Sequence, residues 1–300
     1  DYSDFNTAQY STTNGTAQVV LGIPLTETDS ITGLVGIDSN EIIAGYSYSP
    51  KSIVDYLDAL GHRTFHAWRA QIGWGRNSLN HALTPTAGTQ QRLWLEATLP
   101  GSTVEYYKIN YNFSKFWPLS RHLVLNTRAE LGYGDSYGKD VSRVITRDGK
   151  QEVITASGLP FFENFYAGGV RSVRGFTDNT LGPRETSANG TFAQPLGGSF
   201  KTTGSLEMYF PTLLDTPAAR VSAFVDFGNV YKDYDSFDAG DLRASAGISM
   251  LWRSPMGPIS ISYAFPFKKK GPLYGGPDGK TQIDRGDELE RLQFTFGGTF

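Results

Sequence analysis

Apolar side chains recur at every second position along most of this chain, with polar or small residues between them. The stretch 17–25 is an example, with Ala17, Val19, Leu21, Ile23 and Leu25 on one parity. Alternate side chains of a β-strand point to opposite faces of the sheet. The pattern therefore predicts a strand with one apolar face and one polar face.

Ten further stretches alternate in the same way, which brings the prediction to about eleven or twelve strands. Their apolar positions are Ile31, Gly33, Val35, Ile37; Trp68, Ala70, Ile72, Trp74; Leu93, Leu95, Ala97, Leu99; Tyr107, Ile109, Tyr111, Phe113; Leu123, Leu125, Ala129, Leu131; Leu206, Met208, Phe210; Val221, Ala223, Val225, Phe227; Leu242, Ala244, Ala246, Ile248, Met250, Trp252; Ile259, Ile261, Tyr263, Phe265, Phe267; and Leu292, Phe294, Phe296, Phe300. Arg and Glu on the other parity need a wet or paired face, which a barrel lumen supplies. The predicted fold class is all-β, an antiparallel transmembrane β-barrel.

A soluble β-sandwich is the alternative, because its strands also alternate between an apolar and a polar face. Its solvent face would carry more charge than this chain offers, with 19% charged and 13% aromatic residues. No stretch approaches the roughly 18 unbroken apolar residues of a membrane helix. The composition thus favours a membrane barrel over either alternative.

The lengths of the connections give a second test, because outer-membrane barrels have short periplasmic turns and long external loops. With the C-terminus taken as periplasmic, the external connections are 268–290, 232–240, 134–199 and 40–65, and the periplasmic ones include 254–257 and 211–218. Two connections break the trend, a long inner one at 75–90 and a short outer one at 100–103.

Charge and chemistry exclude several functions. The net charge is -3 without a basic block, so nucleic acid is not an expected partner. There is no cysteine, which excludes disulfides, thiolate zinc sites and cysteine nucleophiles. The four histidines, His62, His66, His81 and His122, show no metal-ligand spacing beyond the i, i+4 pair of His62 and His66 in a predicted loop. We therefore expect no enzyme activity, no metal and no cofactor. Residues 1–10 have no signal-peptide pattern, so a mature chain or a fragment is expected.

Several phrases resemble the superfamily of BamA, TamA and the two-partner-secretion transporters. The run LPFFENFYAGGVRSVRGF, residues 159–176, ends in Val173, Arg174, Gly175 and Phe176, which is similar to a loop motif of that superfamily, and FENFYAGG is similar to BamA in particular. The phrases LEMYFP, VDFGNVY and SPMGPISISYAFPFKK are similar to its late strands. The resemblance spans most of the chain and is densest from residue 159 onward.

This resemblance implies a barrel of about sixteen strands that follows periplasmic POTRA domains. Residues 1–300 would be the C-terminal part of that barrel domain, without the first strands and the POTRA domains. The external loop 134–199 would fold into the lumen, where Arg174 would meet Glu207 and Asp226. Parity also points both carboxylates into the lumen, independently of the resemblance. The alternative is a solvated loop arginine and two unrelated carboxylates.

The last strand is the second candidate site. Leu292, Phe294, Phe296, Gly297, Gly298 and Phe300 resemble the β-signal that directs outer-membrane proteins to the insertion machinery. Glycine weakens a strand, and the resemblance implies a poorly closed lateral seam here. An ordinary lipid-facing strand is the simpler interpretation, and the two are compatible.

The function implied is the folding and insertion of β-barrel proteins into the bacterial outer membrane through this seam. The implied partners are nascent outer-membrane proteins, periplasmic chaperones, accessory assembly lipoproteins and outer-membrane lipid. A secretion pore of the same superfamily and a passive porin are the alternatives.

Overall fold

The structure is a computed structural model of the chain, and it describes residues 10–45, 47–82, 84–147, 149–186, 193–214, 216, 218–275 and 281–296. The strands in chain order are β1 (Ser11–Pro24), β2 (Asp29–Ile43), β3 (Thr64–Asn77), β4 (Gly88–Thr98), β5 (Tyr106–Ser120), β6 (Leu123–Ser136), β7 (Val141–Arg147), β8 (Lys150–Ala156), β9 (Gly175–Phe176), β10 (Arg184–Glu185), β11 (Gln194–Pro195), β12 (Phe200–Phe210), β13 (Ala219–Tyr231), β14 (Arg243–Ser254), β15 (Gly257–Lys268), β16 (Leu273–Gly275), β17 (Thr281–Asp284), β18 (Leu289–Glu290) and β19 (Leu292–Phe296). The described residues also form α1 (Lys51–Leu60) and 3₁₀ turns at Phe161–Glu163 and Ala239–Asp241.

One antiparallel sheet of eleven strands dominates the molecule, in the order β1-β2-β3-β4-β5-β6-β12-β13-β14-β15-β19. We call these eleven strands the wall strands. Each is a neighbour of the next wall strand along the chain, as expected for an up-and-down barrel. This confirms the predicted all-β antiparallel fold and its number of strands. In the described part of the chain, β1 and β19 are the two edges of the sheet and do not pair with each other, so the barrel is not closed.

The register places the predicted apolar positions side by side. Val35 of β2 lies opposite Val19 on one side and Ala70 on the other, and Ala246 of β14 lies opposite Val225 and Phe265. Because a slip of one residue would turn every side chain to the other face, this alignment gives one continuous apolar surface.

Exposure shows which face is which. The apolar parity points outward and is exposed, for example Leu21 at 68% and Ile248 at 62%, whereas the polar parity of the late strands is buried, with Asp226 and Ser245 at 0%. This distribution, apolar outside and polar inside, is the reverse of that in a soluble protein. It matches a barrel whose outer face contacts lipid. No helix among the described residues is long and apolar enough to cross a membrane.

The connections alternate in length apart from the two expected exceptions, the inner connection 78–87 and the outer connection 99–105, and several bounds differ from the expected ones. β6 continues to Ser136 and β12 starts at Phe200, so the longest connection is 137–199 rather than 134–199. The Gly residues at the end of β6 have low β-propensity. This end of β6 nevertheless pairs with β5, up to the register pair Tyr106 and Ser136. Leu25, Leu99 and Leu242 fit the parity but lie just outside their strands. The backbone N–H groups of Leu25 and Leu242 close turns, whereas the Leu99 N–H donates to the Trp68 carbonyl of β3.

The helix α1 was not predicted, although its sequence carries the signals for one. Ile53 and Leu57 are four residues apart and both are buried, and Gly61 ends the helix with φ of 71°. The hairpin of β7 and β8 packs on α1 at the end of the sheet that carries the long connections. His62 lies in the following turn, but His66 belongs to β3 rather than to a loop, so this histidine pair does not share one element.

A hydrophobic cluster fills the space beneath α1. Its buried members are Ile42, Ile53, Leu57, Phe65, Val104, Tyr106, Leu159, Phe161 and Phe165. The last three come from the long connection 137–199, which therefore turns inward over the sheet soon after its hairpin. These three buried residues hold the connection against the sheet just before the segment that contains the predicted motif.

Candidate functional site

The segment 165–181 of the long connection lies inside the curved sheet. Backbone bridges join Phe165 to Gly198 and Ala167 to Leu181, which folds the segment into a compact loop. Val173 and Phe176 are fully buried and belong to a cluster with Val230 of β13. The apolar residues on either side of Arg174 thus insert between the loop and the wall and fix where its side chain points.

Arg174 forms a two-pronged ion pair with Asp226 of β13. Its Nε donates to Asp226 Oδ2 at 2.6 Å, and its Nη2 donates to Oδ1 at 2.9 Å. The backbone N–H of Arg174 also donates to Asp226 Oδ2, at 3.1 Å. A planar guanidinium matches both oxygens of a carboxylate at once, so this contact fixes the orientation of the side chain as well as its position.

Glu207 of β12 accepts from the other side of the same guanidinium. Arg174 Nη1 and Nη2 lie 3.3 and 3.2 Å from its two oxygens. Glu207 also accepts from Arg128 Nη2 at 3.2 Å and from Ser222 Oγ at 2.6 Å. The loop arginine and the wall arginine thus share one carboxylate, and Arg174 connects the loop to two adjacent wall strands.

Further contacts surround the ion pair. The Arg174 guanidinium carbon lies 3.4 Å from the ring centre of Phe224, a cation–π distance, and Ser245 Oγ donates to the Arg174 carbonyl at 2.5 Å. Burial by itself would lower the pKa of Arg174, but the hydrogen bonds and charges of Asp226 and Glu207 outweigh it and raise that pKa. The side chain therefore stays charged.

Gly175, which follows Arg174, adopts a backbone conformation that favours glycine. Gly175 has φ of 90°, and a Cβ at that position would lie 2.9 Å from Ala264 Cβ. A side chain would therefore be strained by its backbone and crowded by β15. Gly175 and Phe176 form β9, which pairs with β18, the short strand just before β19.

Gln293 ties the motif to the last strand, and sequence reasoning missed it. Its Oε1 accepts from the Gly175 N–H at 3.0 Å, and its Nε2 donates to the Phe176 carbonyl at 2.8 Å. The side chain is 2% exposed. A glutamine on the polar parity of an otherwise aromatic strand was the available signal, but the motif's need for a backbone partner is visible only in three dimensions.

The last strand places its apolar residues as the pattern predicts. Leu292, Phe294 and Phe296 of β19 point outward and are more than half exposed, and β19 pairs with β15 over five positions. Gly297, Gly298 and Phe300 lie outside the described residues. The structure thus brings Val173, Arg174, Gly175, Phe176, Glu207 and Asp226 into one site, and this site contacts β19 through Gln293.

Several other charged groups of the lumen are also paired. Arg69 of β3 bonds Asp38 and Glu96, and Lys108 of β5 bonds Glu163 of the long connection at 3.1 Å. Within the described ranges, no group of three or more acidic or histidine side chains could hold a metal ion. The site holds a loop against the inner face of the sheet through charge pairs and hydrogen bonds to the backbone.

Comparisons with known proteins agree with this geometry. The Omp85 superfamily domain matches residues 1–300. The outer membrane protein assembly factor BamA of Neisseria meningitidis serogroup B is 34% identical over 97% of this chain, and the protein of the same name from Nitratidesulfovibrio vulgaris is 27% identical over 77% of it. The crystal structure of BamA from Haemophilus ducreyi lacking POTRA domains 1-3 superposes on 97% of the chain with a TM-score of 0.76 and 28% identity.

The chain is shorter than each of these relatives. It spans 37% and 25% of the two assembly factors and 55% of the crystallised chain. The similarity therefore covers the barrel-forming part that the fold describes.

Proposed function

Because this chain belongs to the Omp85 superfamily, we propose that it is part of the membrane barrel of an assembly factor that folds and inserts β-barrel proteins into the outer membrane. The protein itself is a β-barrel protein of the Gram-negative outer membrane. The observation that carries the proposal is the similarity to BamA over nearly the whole chain, together with an intact loop motif bound to the wall. A protein of this kind needs no enzymatic chemistry and no cofactor.

The proposed mechanism uses the edge of the sheet at β19. A strand edge presents unpaired N–H and C=O groups, which can template an incoming strand. In the described residues, β19 is the edge of the sheet and pairs only with β15. A substrate strand could therefore add along the other edge of β19, at a lateral seam.

The aromatic outer face of β19 suits the same role. Leu292 and Phe294 are exposed at the boundary with lipid. A narrow apolar belt beside a seam would thin the bilayer locally and lower the barrier to insertion. Nascent outer-membrane proteins would be the substrates, delivered by periplasmic chaperones, and accessory lipoproteins would complete the complex.

Cysteine crosslinking tests the seam directly. These 300 residues contain no cysteine, so a single Phe294→Cys substitution gives a clean reporter in full-length protein in which any cysteine outside them is replaced by serine. In proteoliposomes that assemble a small β-barrel substrate, the thiol introduced by Phe294→Cys is expected to crosslink to a cysteine in the C-terminal strand of the substrate. Leu95→Cys is the matched control, because Leu95 also faces outward but lies in the middle of the sheet. Crosslinks at position 95 without crosslinks at 294, in an active preparation, would contradict the proposal.

A further inference from the structure

Arg220 at the start of β13 differs from the other buried arginines. Among the described residues, Arg174, Arg220 and Arg243 are buried below a tenth of their surface. Arg174 bonds Asp226, and Arg243 bonds Asp287 at 2.6 Å. Arg220 has no carboxylate within ion-pair distance in the described part of the chain, and its Nε and Nη2 have no hydrogen-bond partner. A buried cation without a counter-ion is costly, so this position calls for an explanation.

The rest of the Arg220 side chain is held firmly. Nη1 donates to the Pro85 carbonyl at 2.8 Å, and the guanidinium stacks on Tyr209 with 3.9 Å between its carbon and the ring centre. Pro85 lies in the inner connection 78–87, whose length broke the expected trend. That connection folds across the end of the lumen, where it meets Arg220. The unusually long inner connection and the buried arginine without a carboxylate partner thus contact each other.

Nearby acidic groups do not neutralise Arg220. Glu207 is the carboxylate that lines the same space, and Arg174, Arg128 and Ser222 already occupy its oxygens. Asp226 is bound by Arg174. The three guanidinium groups of Arg128, Arg174 and Arg220 therefore face two carboxylates, which leaves a positive charge at Arg220.

A cavity of about 230 Å³ lies beside this charge. Besides Arg220, its lining includes the charged residues Arg128, Glu207 and Arg253, the hydroxyl residues Ser249 and Ser260, and the apolar residues Leu79, Phe116 and Leu251. A water molecule occupies about 30 Å³ of liquid, so the cavity has room for a small organic acid. The mixed lining suits a ligand with one charged end and an apolar body better than it suits an inorganic ion.

We propose that this cavity binds a carboxylate carried on an apolar body, with Arg220 as its counter-ion. The Nε and Nη2 edge of Arg220 is the edge with which Arg174 grips Asp226 in this same protein. Both atoms are shielded from solvent in the structure, so the ligand would reach them only after the guanidinium rotates away from Tyr209 and the Pro85 carbonyl. The carboxylate belongs either to a free organic acid or to the C-terminal residue of a polypeptide. The proposal does not depend on the assembly function.

Fluorine NMR on the full-length protein in detergent micelles tests the site. The probe is N-acetyl-4-fluorophenylalanine, and its signal is expected to broaden on binding. Its carboxamide, which lacks the charge, and inorganic phosphate, tested as a competitor, are expected to have no effect. Competition by an apolar tetrapeptide with a free C-terminal carboxylate would assign the site to a polypeptide, and binding of the acid without such competition would assign it to a free organic acid.

Two variants connect the signal to the cavity. Arg220→Gln is expected to weaken binding of the acid at least about tenfold, since hydrogen bonds to charged groups contribute that much. Arg121→Gln, which removes an exposed arginine in a turn, is the matched control and should bind like the parent. Ser260→Leu fills the cavity but keeps Arg220, so it decides the matter if Arg220→Gln does not fold.

Equal binding of the acid and its carboxamide would overturn the proposal. So would displacement of the acid by inorganic phosphate, or full binding by a folded Arg220→Gln or Ser260→Leu variant. Loss of binding in either variant, with heat-modifiable gel mobility like that of the parent, supports it.

Discussion

The first strand of the sheet, β1, and the strand β13 share one alternating pattern but differ in what covers their inner face. Every residue of β1 is exposed, on both parities, whereas the inward residues of β13 from Arg220 to Tyr231 are buried. The long connection packs against β12 and β13 and contributes Val173, Arg174 and Phe176 to their inner face. Alternation thus determines how strands pair, whereas burial of the lumenal face depends on a loop that comes from elsewhere in the chain.

This difference predicts where the protein is sensitive to substitution. On the loop-covered side, a polar side chain has fixed partners and little access to water, so a lost partner leaves a buried group unsatisfied. In β1, the side chains on both faces are exposed and have no buried partner to lose. The same type of substitution should therefore cost more on the inner face of β13 than in β1.

Arg174→Ala is expected to have the largest effect. It leaves Asp226 and Glu207 buried without their main counter-ion, and breaking a buried pair in this way costs about 3–5 kcal/mol. We expect faster proteolysis within the connection 137–199 and a lower urea midpoint for the full-length protein in liposomes. Arg174→Lys should recover little, because an ammonium lacks the fork that grips both carboxylates.

Arg143→Ala is the matched control for that loss. Arg143 lies in the same long connection, but it is exposed and donates to the Asp58 carbonyl rather than to a buried carboxylate. Its removal should leave the urea midpoint almost unchanged. Equal effects of the two substitutions would show that the Arg174 pairing does not hold the loop.

The sequence predicts the wall far better than it predicts the contents of the lumen. The apolar parity alone indicates eleven strands and points Glu207 and Asp226 inward, because a two-residue period is a local property. The contact of Gln293 with Gly175 and Phe176 joins residues 118 and 117 positions apart, and no local pattern encodes it. The helix α1 lies between these cases. The spacing of its apolar residues and its Gly61 cap can be recognised in the sequence, but the helix is short, so the signal is weak.

Gln293→Leu should have the next largest effect. It removes both hydrogen bonds to the motif and leaves the Gly175 N–H and the Phe176 carbonyl unsatisfied, at a cost of about 2–3 kcal/mol. Because Gln293 lies on β19, we also expect faster hydrogen exchange of the β19 backbone. Gln91→Leu on β4 is the comparison, since the side chain of Gln91 accepts one bond from Tyr111 and does not contact the motif. Unchanged exchange in β19 would argue against a link between the loop and the last strand.

A pair of glycine substitutions compares the buried loop with a position that has open space around it. Gly175→Ala forces a side chain into φ of 90° and against Ala264, which should cost about 1–2 kcal/mol. Gly33→Ala in β2 adds the same atom where nothing lies within 4 Å. We expect it to leave the urea midpoint unchanged. If Gly33→Ala were as costly as Gly175→Ala, the buried loop would not be the more constrained region.

The smallest expected effect concerns the ion pair between Lys51 of α1 and Glu152 of β8. Its nitrogen and oxygen lie 3.2 Å apart, close to the distance between Arg174 and Glu207, but 48% and 38% of the two side chains are exposed. Water and salt screen an exposed pair, whereas a buried pair is screened much less. Double-mutant cycles with Lys51→Met and Glu152→Gln should therefore give a weak coupling that disappears at high salt. The corresponding cycle between Arg174 and Asp226 should keep its coupling under the same conditions. If salt reduced both couplings to the same extent, the Arg174 pair would be open to solvent, and the difference between the two regions would not arise from burial.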